Sequence, residues 1–572
     1  MTHARRLPVL AALGVFTAAT VMWLPAAPAS PVLASKGVVA GTAVPKLVHP
    51  MMGGGAAATV APPASPARII SGAVGSAGET GASVAVSPDG RVALVGAPAA
   101  AGGAGQVLVY VQAGGSWPTT PTEVLYPPAG TTGQFGASVA LSQNGSIAAI
   151  GAPGAGPGTT AVGTVYIFGP AGTAGAGPGA ATGTAGAAVP YAPTPSATIP
   201  APGGTGGKFG FSVALTYDGA TLVAGAPVAG DGEAFVFTEH NGAWSSSPAA
   251  TLLPSAGTDN GGEFGSSVAL SSNGTDAVVG APGAGASYSG AAYLYVASAG
   301  GAWPSLPALM FSGPLQQGAE FGNSVAVSAA GDVVLIGAPA AGPSFDGEAY
   351  LYQETLGKWP LQPGTIFAGP PGSSAWLGTS VALSANGQVA LMGGPIAASG
   401  AAYLYTEPNG TWPYSASVVY PAPAGAPYGV GSAVALSANG QVALMGDAPF
   451  TGGGAIDGAA YLYAPAAGTP YQSLQSIALV RTPAATGRPG TSLHIRATAS
   501  SHLPVAVSVD PSSTPGTCTV RSGVVHLRRP GTCLIDLEQS GDAAWSAAAQ
   551  VQVSVRVAGR PVTPSKAAAN KR

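Results

Sequence analysis

Charge is what this chain has least of. Only 41 of its 572 residues are ionisable Lys, Arg, Asp or Glu, 19 basic and 22 acidic. No nucleic-acid partner is expected of such a surface. Cysteine is almost missing: Cys518 and Cys533 are the only two, the right number for one disulfide in an exported chain. Six histidines (His3, His49, His240, His494, His502, His526) are scattered without metal-ligand spacing. A phosphate-cradling loop, a nucleophile elbow and a paired His and Cys are all missing too. Beyond the N-terminus no long helical period appears.

Long apolar runs are absent except one. Leu7 to Leu24 follows Arg5 and Arg6 and precedes the small residues Ala27 to Ala29, the layout of an export signal over residues 1–29. An uncleaved membrane anchor is the alternative. Residues 30–64 read as a low-complexity linker. The expected location is secreted or at the cell surface, with no membrane span after cleavage.

What is abundant is glycine and proline, 88 and 54 residues. They alternate with short runs of Val, Ala, Leu and Tyr, which reads as an all-β chain with many turns. The few charges are unevenly placed: residues 66–471 carry 18 acids against four bases, and residues 481–572 carry 11 bases against four acids. An acidic body precedes a basic tail.

The body repeats itself. "FGASVALSQNGSIAAIGAP", "FGSSVALSSNGTDAVVGAP" and "FGNSVAVSAAGDVVLIGAP" are three of seven copies, whose first glycines are Gly81, Gly136, Gly210, Gly265, Gly322, Gly378 and Gly431. Each lies 15 residues before a second glycine, at Gly96, Gly151, Gly225, Gly280, Gly337, Gly393 and Gly446. The copies end on Pro98, Pro153, Pro227, Pro282, Pro339, Pro395 and Pro449. A constant interval enclosing two β-branched runs and a "PDG", "QNG" or "ANG" turn predicts a hairpin of fixed length. A third strand ends at Tyr110, Phe168, Phe237, Tyr295, Tyr352, Tyr405 and Tyr463. A fourth, weaker strand is expected to carry Trp117, Trp244, Trp303, Trp359 or Trp412 ahead of a proline-rich run, which places it at the outer edge.

Seven such units predict a seven-bladed β-propeller over residues 65–471. The seventh copy lacks a fourth strand, and "SPARIISGAVG" (Ser65 to Gly75) resembles "SPAATLLPSAG" (Ser247 to Gly257), so residues 65–75 are expected to complete the last blade. The recurring "FG…GAP" resembles FG-GAP repeats, which build the propeller of integrin α-subunits and of many exported bacterial proteins. The resemblance thins in the last two copies, where Leu377 and Val430 replace phenylalanine and "GGP" and "GDAP" replace "GAP".

Many members of that family carry a D-x-D-x-D-G calcium loop between the first two strands. Here the same place offers at most one acid, Asp89 or Asp218, too few oxygen ligands for calcium. Asp332 follows its turn glycine without an acidic neighbour in the sequence. Asp231, Asp346 and Asp457, in "DGEAF", "DGEAY" and "DGAAY", are weak cation candidates and read first as turn formers. No cofactor and no catalytic residue is expected. The tryptophans could stack on sugars, but their fixed place favours packing at the blade rim. The connection between the second and third strands varies in length and lies on the same face as the blade-to-blade connection, so that face is the expected binding face.

Residues 472–558 read as six or seven short strands, and the Cys518/Cys533 pair with "AAWSAAAQV" resembles the Ig-like β-sandwich modules of exported bacterial proteins. Residues 559–572 read as a disordered basic tail. The whole predicts an exported, non-enzymatic recognition or adhesion protein with an extracellular protein or polysaccharide partner, the cell envelope among the candidates. A structural envelope component without a soluble ligand, and a hydrolase or lyase acting at the propeller channel, are the alternatives.

Overall fold

The computed structural model describes residues 66, 68–71 and 78–558, except 156–161, 171–190, 205–206, 256–261, 286–287, 299–300, 315, 356, 397–399, 408–410, 424–425, 427–428, 449–456, 466–476, 480–485, 500–503, 522 and 540–550. The export signal, the linker, the basic tail, Pro449 and most of the insertion after Phe168 lie outside the described residues.

Each repeat folds around one hydroxyl. Ser87, Ser142, Thr216, Ser271, Ser328, Ser384 and Ser437 directly follow the first strand, and each side-chain oxygen accepts the N–H five residues on at 2.9–3.0 Å. The same hydroxyl donates to Asp89, Asn144, Asp218, Asn273, Asn386 or Asn439 in the turn. In the fifth repeat the turn reads Ala-Ala-Gly, and Asp332, beyond the glycine, takes that place at 2.6 Å. The turn glycine follows in each copy with φ between 68° and 84°, a conformation that would strain any side chain. Local side-chain bonding thus closes the turn before any tertiary contact is made.

The hairpins are the first half of four-stranded antiparallel sheets. In the fifth sheet Ser324–Val327, Val333–Ala338, Glu348–Gln353 and Thr365–Ala368 pair in sequence order, and five other sheets repeat the pattern; in the third, Ala243–Trp244 adds a short fifth strand. The remaining sheet joins Ala433–Leu436, Ala443–Asp447 and Ala459–Tyr463 to Arg68–Ser71, with Arg68 opposite Leu462 and Ser71 opposite Ala459. The first strand of every sheet touches the first strand of the next, and Ala433–Leu436 touches Ser83–Val86. Seven sheets in a closed series, each pleated with its apolar residues against its neighbours, make a β-propeller.

Its core is divided accordingly. Seven hydrophobic clusters lie between successive sheets, each drawing on two of them; one joins Ile70 and Leu444 of the last sheet to Val95 and Trp117 of the first. The tryptophans belong to these layers and, against expectation, not to the fourth strand. Trp303, Trp359 and Trp412 precede the strands Leu309–Ser312, Thr365–Ala368 and Val418–Pro421, and Trp117 precedes Glu123–Leu125. Trp244 ends the short strand Ala243–Trp244. The reason is packing: Trp359 meets Phe311 of the preceding sheet edge-on at 5.5 Å, and Trp412 meets Phe367 at 5.2 Å. In the second repeat Tyr191 fills this role, buried beside Leu125 with its hydroxyl donated to the Gly145 carbonyl.

Adjacent sheets meet most closely at the two motif glycines. The N–H of the first glycine donates to the carbonyl of the second in its own repeat, at 2.9–3.0 Å in all seven copies. Its own carbonyl lies against the second glycine of the preceding sheet, where a Cβ would sit only 1.9–2.1 Å from that oxygen. The serine that opens the preceding sheet's first strand donates to the same oxygen at 2.7–2.9 Å: Ser83, Ser138, Ser212, Ser267, Ser324 and Ser380. The seventh sheet has Ala433 at that position, so the junction of Gly446 with Gly81 is made without this bond.

Residues 477–558 hold strands of a different kind. One sheet has the order Thr486–Gly487, Val551–Val557, Gly531–Glu538, Ala506–Val509, and another the order Ser492–His494, Val524–Leu527, Cys518–Arg521. Val525, Leu527, Ile535, Leu537 and Val555 are buried between them with Cys518 and Cys533. The two cysteines form a disulfide across 15 residues, which contributes about 3 kcal/mol on the chain-entropy account.

Two outcomes follow for the sheet junctions. Gly337→Ala places a methyl 2.0 Å from the Gly378 oxygen and is expected to cost about 3 kcal/mol in urea unfolding. Ala433→Ser restores the missing hydroxyl and is expected to add about 1 kcal/mol, while an unchanged urea midpoint would show that this junction cannot accept it.

Candidate functional site

Strand direction decides which side chains share a face. In an antiparallel sheet the connection from second to third strand lies at the same end as the segment entering from the preceding sheet. The two are joined by parallel bridges: Gly105 with Phe135, Gly163 with Phe209, Gly232 with Phe264, Gly290 with Phe321, Gly347 with Leu377, Gly400 with Val430 and Gly458 with Thr80. The motif phenylalanines turn inward and lie edge-on or tilted against the third-strand aromatics, at centroid distances of 5.3–6.2 Å. Each such pair contributes roughly 0.5–1.5 kcal/mol beyond its burial. Leu377 and Val430, which break the sequence pattern, are fully buried in the same place.

The residue before this position is exceptional in six of the seven repeats, Gly429 before Val430 being the other. Glu79, Gln134, Lys208, Glu263, Glu320 and Trp376 all have φ between 52° and 62°. Their carbonyls accept the N–H three residues on, at 3.0–3.2 Å. A left-handed residue with a side chain costs about 1–2 kcal/mol, and here the closing turn and the buried neighbour hold it in place.

A second set of left-handed residues lies beside the first, in the connections from second to third strand. Two residues before the glycine that opens the third strand, the first and third repeats have Gly103 and Gly230, with φ of 93° and 58°. The fourth and fifth repeats have Tyr288 and Phe345 there, with φ of 58° and 57°. Both rings are largely exposed, at 66% and 55%. The Tyr288 carbonyl accepts the Glu320 N–H and the Phe345 carbonyl accepts the Trp376 N–H, both at 3.4 Å. Phe211, Val228 and Ile396 are exposed on the same face. The aromatic positions were not singled out in the sequence; the signal for them is an aromatic standing where two sibling repeats have glycine, two have alanine and one has isoleucine.

The three aspartates considered as cation ligands sit at equivalent places in three different sheets and are not brought together. Asp346 is buried, and its carboxylate accepts the Gly372 and Ser374 N–H groups, each at 2.9 Å. Those bonds, Gly372's first, hold its pKa below the usual carboxylate value. Asp231 is exposed, and its carbonyl accepts the Phe264 N–H; the Asp457 carbonyl accepts the Thr80 N–H at 3.0 Å. Asp447, the odd residue of "GDAP", is fully buried and accepts from the Gly429 N–H at 2.6 Å and the Tyr461 hydroxyl at 3.2 Å. Burial, and then the charge of Asp447, push the Tyr461 phenol pKa up, so it remains a donor.

Asp332 does have acidic neighbours in space. Burial and, more weakly, its charge raise the Asp276 pKa, and Glu354 is raised by burial and by both aspartates. Glu320 is raised by burial and then by Glu263. Among the described residues no three His, Cys, Asp or Glu side chains are grouped as metal ligands would be.

The fold therefore defines a β-propeller built from repeated sheets, with turn acids engaged in its own backbone. Residues 248–295, spanning the end of the third sheet and the first three strands of the fourth, match the FG-GAP repeat family. No curated protein matches it. Among the described residues no helix is long and apolar enough to cross a membrane.

The hydrogen-bonded Asp346 gives a pH prediction. Its folded pKa lies below the unfolded value, ordinarily near 3.8, so its stabilisation is complete above that value and is lost as pH falls through the folded pKa. Asp346→Asn is expected to flatten the fall of melting temperature below about pH 4 relative to the parent chain. Parallel acid profiles for the two proteins would rule the clamp out.

Proposed function

We propose that this is an exported, non-enzymatic recognition protein: a seven-bladed propeller that binds a protein or polysaccharide partner through the face carrying its second-to-third strand connections, followed by an Ig-like module at residues 472–558. The observation that carries the reading is the pair Tyr288 and Phe345. Two aromatic rings stand exposed at backbone positions where glycine serves the fold better, on the face that carries the second-to-third strand connections, whose length varies between repeats. FG-GAP propellers often serve in binding or adhesion, which supports the class, while fold alone does not name the ligand. The module's disulfide and the leader at residues 1–29 support an oxidising, extracellular setting.

The test is saturable binding of the full mature chain to whole cells. Replacing the connections at residues 284–289 and 341–345 by the shorter Val228–Asp231 is expected to remove at least nine-tenths of it. Binding that survives both replacements would place recognition elsewhere, and binding retained by residues 472–558 alone would reduce the propeller to a displayed scaffold.

A further inference from the structure

The face just described admits a narrower reading, which rests on the proposed recognition role. Tyr288 and Phe345 occupy equivalent positions of two successive sheets, so the same operation that carries one sheet onto the next carries one ring onto the other. Trp376 stands half-buried beside Phe345, and Glu320 beside Tyr288, each joined to it by one backbone hydrogen bond. Glu263 holds the place of Glu320 one sheet earlier and is exposed. Carboxylate and ring therefore alternate as Glu263, Tyr288, Glu320 and Phe345 along the fourth and fifth sheets, and the sixth adds a second ring, Trp376, beside Phe345.

We propose that Tyr288, Phe345 and Trp376 form a stacking platform for a glycan chain, with Glu263 and Glu320 accepting hydrogen bonds from its hydroxyl groups. A flat ring can cover the apolar C–H face of a pyranose while the sugar's hydroxyls remain at its edge, where a carboxylate can accept from two neighbouring ones. Equivalent rings on successive sheets suit a ligand that is itself periodic. The left-handed backbone fixes where each ring leaves the chain before the ligand arrives, so only side-chain ordering opposes binding. The sign of the ligand follows from the body's 18 acids against four bases over residues 66–471: an anionic polymer is repelled, leaving a neutral or amino-sugar polysaccharide. The rim tryptophans are committed to packing between sheets and take no part.

The experiment is depletion of the full mature chain by suspended cellulose, chitin and a β-1,3-glucan, with alginate as the anionic polymer and poly-lysine as a basic polypeptide. Retention on at least one of the first three, and none on alginate, is expected. The double variant Tyr288→Gly, Phe345→Gly should bind at least tenfold more weakly while melting at the same temperature or higher, because glycine suits both backbone positions. That pairing separates lost binding from lost folding. Tyr288→Phe, which keeps the ring, should bind as the parent does. Failure to bind all three polysaccharides, equal binding by the glycine variant, or preference for alginate would overturn the glycan reading. So would ring-dependent capture by poly-lysine in place of the polysaccharides, which would assign the surface to a basic polypeptide. Cell binding that depends on the connections but not on the polysaccharides would sink this inference alone and leave the recognition role standing.

Discussion

Everything in the propeller depends on one contact, the carbonyl of a motif glycine set against the Cα of the preceding sheet's second glycine. It fixes the distance of nearest approach between sheets, because a single methyl there would have to occupy the oxygen's place. It also fixes orientation: the same glycine's N–H is tied to its own hairpin, so sheet and neighbour are addressed by opposite ends of one peptide unit. Six serines then bind the same oxygen and turn a close approach into a satisfied one. A repeat could lose its phenylalanine to leucine or valine and keep this arrangement, as the sixth and seventh do. Losing either glycine would be felt by two sheets at once.

Because the core lies between sheets, no repeat can bury its own apolar faces. Val278 of the fourth sheet is covered by residues of the fifth, and Leu335 of the fifth by residues of the sixth. Stability is therefore shared among neighbours, as in other repeat architectures, except that here the last sheet must also meet the first. Arg68–Ser71 makes that meeting through backbone hydrogen bonds: one sheet contains both ends of the array, so the ring cannot open without breaking a strand pairing. Ile70 in that strand packs with Trp117 of the first sheet, and the Arg68 guanidinium donates to the Trp117 carbonyl at 2.6 Å. The junction that lacks its serine is thus braced at the rim.

The hairpins were legible in the sequence because their determinants are local. A serine or threonine, an Asp or Asn two residues on and a turn glycine form one hydrogen-bonded unit, and its regular spacing survives in six of the seven copies. Asp332 shows the same logic from the other side: displaced past its glycine, it looks like an isolated acid, yet it bonds the same serine hydroxyl. The tryptophans were harder to place, since what positions Trp359 is Phe311, in another sheet and far away along the chain. Spacing alone assigns such a residue to the nearest strand. Tyr191 was invisible for a similar reason: it replaces tryptophan in kind and follows a long insertion.

The candidate surface was the least legible part, for a physical reason that also argues for its use. Positions that build the fold repeat, so they announce themselves; positions that meet a partner are under no such demand. Gly103, Gly230, Tyr288 and Phe345 share one backbone conformation, and the first two show what the scaffold itself needs there. A ring at that place adds little burial, since both remain mostly exposed, and it keeps the backbone in a region that disfavours side chains. Neither change helps the propeller stand. Where two adjacent copies carry the same kind of exposed ring on a backbone that disfavours any side chain, the gain must be sought outside the fold, on the surface that those rings present.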